Sequence, residues 1–336
     1  MDKYYAIALQ SRIPSRLASR DDRLKHIGHL CDLISVAYER TSTEIPARLV
    51  ALPEGSFQGF EDEFTDMNHV EYAHKFAIDI PGEETDAFAE TARKFNAFLV
   101  ASAKARMEEF PDLFFNVVFL IDPTGKVIHK HYKNQVWVKE HSTTPHDLYD
   151  YWIKRFGEGL NAFFPVAKTD IGNIGTTICM EGSFPEIYRG LALNGAELVT
   201  RPSFPQPWVS QGIFDIQNRA RALDNNIYIV SPMPIFGGAE VIDYRGQYLD
   251  RNSHSGEWWA AGIIDIQALR EFRSQARFIN WLPHIRTEIY RCIYADAIWP
   301  KNLAAGRPPG GHKEVEDVFQ HCIRGLEKQM RSQQER

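Results

Sequence analysis

Cysteine is scarce in this chain of 336 residues: Cys31, Cys179, Cys292 and Cys322 are widely scattered, with no CxxC pair. That argues against a disulfide scaffold, offers no paired metal-ligand spacing, and leads us to expect free thiols in a reducing compartment. Long apolar runs are missing too, and none approaches the roughly 20 residues that cross a bilayer. The opening Met1-Asp2-Lys3-Tyr4-Tyr5 lacks the basic and apolar regions of a secretory signal, so the expected location is cytoplasmic. Neither sign of charge dominates: 38 basic against 44 acidic residues leave −6. Without a basic stripe carrying interleaved aromatics, a nucleic-acid partner is not expected. Internal repeats and low-complexity tracts are also lacking.

What is present alternates between strand and helix patterns. Tyr4 to Leu9 reads as a strand, and Leu24, Ile27, Leu30, Cys31, Ile34 and Tyr38 mark one helical face. Arg48 to Leu52 forms a second strand, stopped by Pro53-Glu54, and a helix follows Pro81-Gly82. Further strands are expected at 97–101 and 116–121. The turn Asp122-Pro123-Thr124-Gly125 then leads into a strand from Lys126 to Tyr132. After a polar and aromatic insert, a hairpin is expected around Asp170-Ile171-Gly172. A helix from Pro185 to Leu193, a strand over 197–200, a helix over 211–226 and a strand over 227–230 follow. Two last strands flank Asp243-Tyr244-Arg245-Gly246. This alternation predicts an α/β sandwich over residues 1–268. Residues 269–336 read as a C-terminal arm, with a linker at Gly306-Arg307-Pro308-Pro309-Gly310-Gly311. Its last helix carries Val315, Val318, Phe319, Cys322, Leu326 and Met330 on one face, which predicts burial on its own domain or on a neighbouring subunit.

Three strand ends carry residues that such places seldom need. Glu54 ends one, Lys133 another and Cys179 a third, and in open α/β sheets strand carboxyl ends are where ligands gather. A thiol attacks only as thiolate, so it needs a base, which Glu54 can supply. Attack on a carbonyl or nitrile carbon develops negative charge, which the Lys133 ammonium and the Met180 N–H can stabilise. Singly, each residue is ordinary: a strand-end cysteine is usually inert, and Pro-Glu after a strand is usually a solvated turn. Other motifs carry less. Thr124-Gly125-Lys126 lacks the earlier glycine of a phosphate loop and sits in a hairpin turn. His129, His131, His141 and His146 have no acidic or thiol partner at zinc spacing, so no metal is expected.

The flanking segments resemble the nitrilase superfamily of carbon–nitrogen hydrolases. Leu52-Pro53-Glu54-Gly55 is similar to its glutamate motif. Gly125-Lys126-Val127-Ile128 with Tyr132-Lys133 is similar to its lysine motif. Ile178-Cys179-Met180-Glu181, Phe184-Pro185-Glu186, Arg189 and Leu193 to Leu198 resemble its nucleophile motif. The resemblance covers roughly residues 4 to 266. It implies a four-layer α-β-β-α sandwich and a Glu54-Lys133-Cys179 triad. It also implies a second glutamate, for which Glu140 has the spacing and Glu158 is the reserve.

The implied reaction is hydrolysis of a carboxamide to acid and ammonia through a cysteine thioester, without metal or organic cofactor. The alternatives are hydrolysis of a nitrile or of an N-carbamoyl amide. A more distant one is a catalytically inactive scaffold of the same fold. Pro81 to Thr85 and Pro185 to Arg189 look more like aliphatic amidases and formamidases, which favours amides. The substrate pocket is expected to draw on Met180, Glu181, Tyr132, Trp137, Arg201 and Phe57, with Arg201 a candidate for a substrate carboxylate. A small-molecule amide or nitrile is the expected partner, with no nucleic acid and no membrane. The resemblance further implies a homodimer or larger homo-oligomer.

Overall fold

A computed structural model describes residues 2–14, 17, 19–206, 209–295 and 308–334 of the chain. Gly306 and Arg307 of the expected linker lie outside the described residues. Thirteen strands among these residues form two sheets. The first contains β1 (Tyr4–Ser11), β2 (Ala47–Ala51), β3 (Phe98–Met107), β4 (Phe110–Ile121) and β5 (Val127–Tyr132). The second contains β6 (Val166–Thr169), β7 (Gly172–Thr176), β8 (Leu198–Thr200) and β9 (Tyr228–Ser231). Later come β10 (Met233–Pro234), β11 (Ala239–Ile242), β12 (Tyr248–Asn252) and β13 (Trp258–Ile264). The first sheet runs β10-β1-β2-β3-β4-β5, with β13 antiparallel to β1, and the second runs β12-β11-β9-β8-β7-β6.

Alternation along the strands builds the layers. In β1, Tyr4, Ala6 and Ala8 turn toward the second sheet and meet Ile174, Ile178, Leu198 and Val230. Ile7 and Leu9 point the other way, against Ile27, Leu30 and Ile34 of α1 (Arg20–Thr41). Both faces of the strand are thus covered, as strands with near-continuous apolar runs require.

Two small helices, α2 (Glu61–Phe64) and α3 (His69–Lys75), follow β2. Then α4 (Glu83–Phe95) joins α1 on the outer face of the first sheet through Phe88, Ala92 and Phe95. Next, α5 (Tyr149–Phe156) and α6 (Leu160–Phe163) occupy the insert. The outer face of the second sheet carries α7 (Pro185–Leu193) and α8 (Phe214–Asn225), buried through Ile187, Tyr188, Leu191 and Ala222. The order is helix, sheet, sheet, helix: the four-layer sandwich.

The structure departs from the expected elements in four places. The hairpin β3–β4 reaches beyond its predicted ends, pairing Met107 with Phe110. After β9 the chain adds β10, β11, β12 and β13, not two strands. The expected boundary after residue 268 falls inside a helix, α9 (Ile266–Gln275), whose Leu269 is buried between the sheets and whose Arg270 pairs with Glu197 at 2.6 Å. Finally, beyond the short α10 (Thr287–Tyr290) and α11 (Cys292–Ala295), helix α12 (His312–Gln334) is anchored by hydrogen bonds at its start. There the His312 N–H donates to Asp66 Oδ1 at 2.8 Å and the His69 N–H donates to the Gly310 carbonyl at 3.2 Å. In the single chain its apolar face is partly covered: Val315, Val318, Cys322 and Leu326 are half-buried, whereas Phe319 is 48% and Met330 63% exposed. No helix among the described residues is long and apolar enough to cross a membrane.

Candidate active site

The first sheet delivers a buried charge network. Glu54 follows β2, Lys133 follows β5, and the Lys133 Nζ donates to Glu54 Oε1 at 2.9 Å. The same nitrogen donates to Glu140 Oε2 at 2.6 Å. The Lys133 backbone N–H, donating to the Asn116 carbonyl at 2.9 Å, extends the β4–β5 pairing by one residue and fixes where the side chain starts. Asn116, in β4, donates its Nδ2 to Glu54 Oε1 at 2.9 Å and to Glu140 Oε1 at 2.8 Å. Ser142 Oγ also donates to Glu140 Oε1, at 2.7 Å. All of these side chains are buried. Burial opposes the Lys133 charge, but Glu140 and Glu54 outweigh it and hold the ammonium well above the ordinary lysine range.

The second sheet delivers the cysteine. Cys179 follows β7 and opens a one-turn helix, Cys179–Ser183, in the left-handed conformation with φ of 44°. A non-glycine residue there costs of order 1–3 kcal/mol and persists only where its surroundings over-determine it. The surroundings do so here. The Cys179 N–H donates to the Pro202 carbonyl at 2.9 Å. Its carbonyl accepts from Arg201 Nε at 2.9 Å and Nη2 at 2.7 Å. Gly182 makes room for this clamp, because a Cβ at that position would run into the Arg201 guanidinium. Met180 lies in the first turn of the helix, where backbone N–H groups lack intrahelical acceptors. Burial, then the Glu54 charge, push the Cys179 thiol above its ordinary range, while Lys133 and an N–H from Phe204 pull it down. The resting group is therefore a neutral thiol, not the low-pKa thiolate that an activated cysteine suggests.

Glu140 joins the network, whereas Glu158 is exposed in the insert. Four residues expected in the pocket face elsewhere. Phe57 packs into the outer helical core against Phe88 and Phe119. Tyr132 turns to the same outer side and meets Phe115 and Trp152, because strand alternation puts Lys133 and Tyr132 on opposite faces. Glu181 is a brace: its carboxylate accepts from the Asn134 N–H at 2.7 Å and the Ile178 N–H at 2.8 Å, and pairs with His131 at 2.8 Å. It ties the residue after Lys133 to the residue before Cys179. Arg201 is spent on Cys179, Gln217 and Asn218 and stacks 3.8 Å from the Phe214 ring, so its guanidinium is not free for a substrate carboxylate. Trp137 is 41% exposed in the loop between Lys133 and Glu140.

His129, His131 and His141 are buried, whereas His146 is exposed. His129 meets Thr176 Oγ1 at 2.9 Å, and burial lowers its pKa to about 3. Burial, with Lys104 next, lowers His141 to about 4. No group of three potential metal ligands exists among the described residues.

Sequence reasoning missed Lys104 and Asn116. Both were visible as polar residues inside apolar strands, Lys104 between Ala103 and Ala105 and Asn116 between Phe115 and Val117. A buried polar side chain in such a run needs a partner, which is the signal that was available.

A family model described as carbon-nitrogen hydrolase matches residues 13–274. Formamidases of Bacillus thuringiensis (strain Al Hakam) and Bacillus cereus (strain B4264) are each 29% identical over 245 residues, covering 69% of this chain. The chain spans 65% of the length of those formamidases. Among solved structures, Saccharomyces cerevisiae Nit3, a member of branch 10 of the nitrilase superfamily, aligns with a TM-score of 0.64 at 20% identity. That alignment covers 82% of this chain and 95% of Nit3. A carbon-nitrogen hydrolase from Helicobacter pylori G27 gives 0.65 at 19%, over 87% and 98%. A mutant amidase from Nesterenkonia sp. AN1, showing covalent addition of the acetamide moiety of fluoroacetamide at the active site cysteine, gives 0.62 at 17%, over 86% and 95%.

Proposed function

The chain belongs to the carbon–nitrogen hydrolase family of the nitrilase superfamily, and from that premise we propose that it hydrolyses a carboxamide to acid and ammonia through a thioester on Cys179. One observation carries the reading. The buried Lys133 ammonium is gripped by two carboxylates at 2.9 and 2.6 Å, within electrostatic reach of a cysteine held at φ of 44°.

In this mechanism Glu54 takes the proton from the Cys179 thiol as Sγ attacks the carbonyl carbon. A neutral resting thiol suits that order, because the base must act during the attack. The Lys133 ammonium and the Met180 N–H stabilise the oxyanion. Glu140 holds Lys133 in place and keeps it charged. As the tetrahedral intermediate collapses, Glu54 returns the proton to the nitrogen and ammonia leaves. It then takes a proton from water, which attacks the thioester, and the acid departs with the thiol restored. No cofactor enters these steps.

The names of the related formamidases and of the Nesterenkonia amidase support an amide over a nitrile. The exposed Leu193, Ile213 and Ile216 on the α7–α8 face, with Ile216 70% exposed, support a homo-oligomer as part of the same proposal.

The test is ammonia release from a panel of amides, N-carbamoyl compounds and nitriles, run beside Cys179→Ala. Release from amides that is lost in the variant is the expected result. Acid formed from nitriles alone would move the reading to a nitrilase, and N-carbamoyl turnover alone would move it to a carbamoyl hydrolase. Silence across the panel from folded protein would favour an inactive scaffold.

A further inference from the structure

The network around Glu140 contains a second lysine that the mechanism above does not use. Lys104 lies in the middle of β3, 2% exposed, and its Nζ donates to Glu140 Oε1 at 2.9 Å. The same nitrogen lies 3.0 Å from Asp62 Oδ2, in α2. Placing an ammonium there costs several kcal/mol unless carboxylates meet it, so the site is built around that contact.

The arrangement of the two glutamates gives Lys104 a purpose. Asn116 Nδ2 donates to Glu54 Oε1 and to Glu140 Oε1, so the two carboxylates share one nitrogen. Lys133 spans them as well. Two carboxylates this close resist being ionised together, and a proton arriving in the pair could settle on either one. Lys133 does not discriminate, since it touches both. Lys104 does, since it forms an ion pair with Glu140 and none with Glu54. We propose that Lys104 is a positioning residue that reserves the catalytic proton for Glu54 by keeping Glu140 ionised and fixed on Lys133. The proposal rests on the amidase reading of the site.

The charged and titratable groups facing Glu140 are few. Lys104 comes from β3, Lys133 from the end of β5, Glu54 from the end of β2, Asp62 and Glu63 from α2, and His141 from its own loop. Burial raises Asp62 and Glu63 above the ordinary carboxyl range, and burial keeps His141 neutral, so Lys104 and Lys133 are the cations of the cluster. The two lysines together outweigh burial and hold Glu140 far below that range. Removing Lys104 takes away the larger of the two charge supports and leaves Glu140 facing Asp62 and Glu63.

The test needs no knowledge of the substrate. Alkylation of Cys179 by iodoacetamide is followed against pH by mass spectrometry, with Cys292 as the internal reference and Cys179→Ala as the blank. The acid limb of the Cys179 rate reports protonation of the Glu54–Glu140 pair. In Lys104→Met that limb should rise by about one pH unit, and Lys104→Arg should bring it most of the way back. If Lys104→Met does not fold, Asp62→Asn serves instead. It leaves Lys104 wholly to Glu140, so the limb should move down. A limb that stays in place in a folded variant, with the rate merely scaled at every pH, overturns the proposal and assigns Lys104 a packing role. A wild-type Cys179 rate that is unchanged in Glu54→Gln overturns the amidase reading, and this proposal with it.

Discussion

The two sheets hold their halves of the site in opposite ways. On the first sheet, Glu54, Lys104, Asn116, Lys133 and Glu140 are fixed by side-chain hydrogen bonds and ion pairs between 2.6 and 3.0 Å. On the second sheet, Cys179 has little side-chain support and is fixed through its backbone, by φ of 44°, the Pro202 carbonyl and the Arg201 clamp. The difference follows from chemistry. A charge needs counter-charges when it leaves water. A nucleophile needs a free sulfur, so only its main chain can be held.

This contrast can be broken from either side. The largest effect is expected from Cys179→Ala: loss of ammonia release by at least about a thousandfold, with the melting temperature nearly unchanged because the backbone supports remain. A variant that kept most of its turnover would remove the cysteine from the mechanism. Lys133→Met should behave differently, losing activity and also destabilising the fold by about 3–5 kcal/mol, because two buried carboxylates lose a shared counter-ion. Urea unfolding of the two variants side by side separates the cases, and equal stabilities would contradict the contrast. Arg201→Met comes next. It strands the Cys179 carbonyl and should cost about 1–3 kcal/mol, together with a tenfold or larger fall in turnover as the elbow relaxes. Gly182→Ala should reproduce the activity loss by displacing the same guanidinium.

The smallest expected effect lies outside both halves, at Asp147. Burial raises this carboxyl to about 6, against the hydrogen bonds it accepts from the Thr144 N–H and hydroxyl. A carboxyl raised on folding adds stability that is fully present below its unfolded pKa of about 3.8. That stability is lost as pH rises through about 6. Wild-type protein should therefore lose stability relative to Asp147→Asn between pH 4 and 6. Parallel melting curves across that window would show that Asp147 does not titrate as its burial requires.

Much of the first sheet could be read in the chain. Strands β1, β2 and β5 and the helix Pro185–Leu193 stand within two residues of where apolar periodicity and turn residues predict them, because those signals are local, whereas β3 and β4 run on past their predicted ends. The helix α7 begins at Pro185 and ends at Leu193 as expected, with proline at the first helical position. Less local features were missed. Helices α2, α3 and α5 are short, so their periodicity spans too few residues to be read: α3 packs over β4 and α5 against α6 within the insert. Glu181 and Arg201 stand where a pocket lining was expected, yet each is occupied by partners far along the chain. Only contact with those partners distinguishes a brace from a ligand. Phe57 and Tyr132 point to the helical side because of strand phase and turn geometry, which a residue's type does not encode.

By itself, the sequence determined the alternating elements and the family resemblance, set Glu54, Lys133 and Cys179 apart as residues out of place at strand ends, and reached Glu140 only through that resemblance. Spacing, apolar period and unusual residue type are properties of neighbours in the chain, so they can be read one segment at a time. The tertiary structure alone decided that Lys104 and Asn116 belong beside them, and that Arg201 grips a carbonyl rather than a ligand. It also decided that the cysteine rests as a thiol. Those outcomes depend on which charges share a buried volume, and burial brings together residues that lie tens of positions apart, such as Glu54, Asn116 and Lys133.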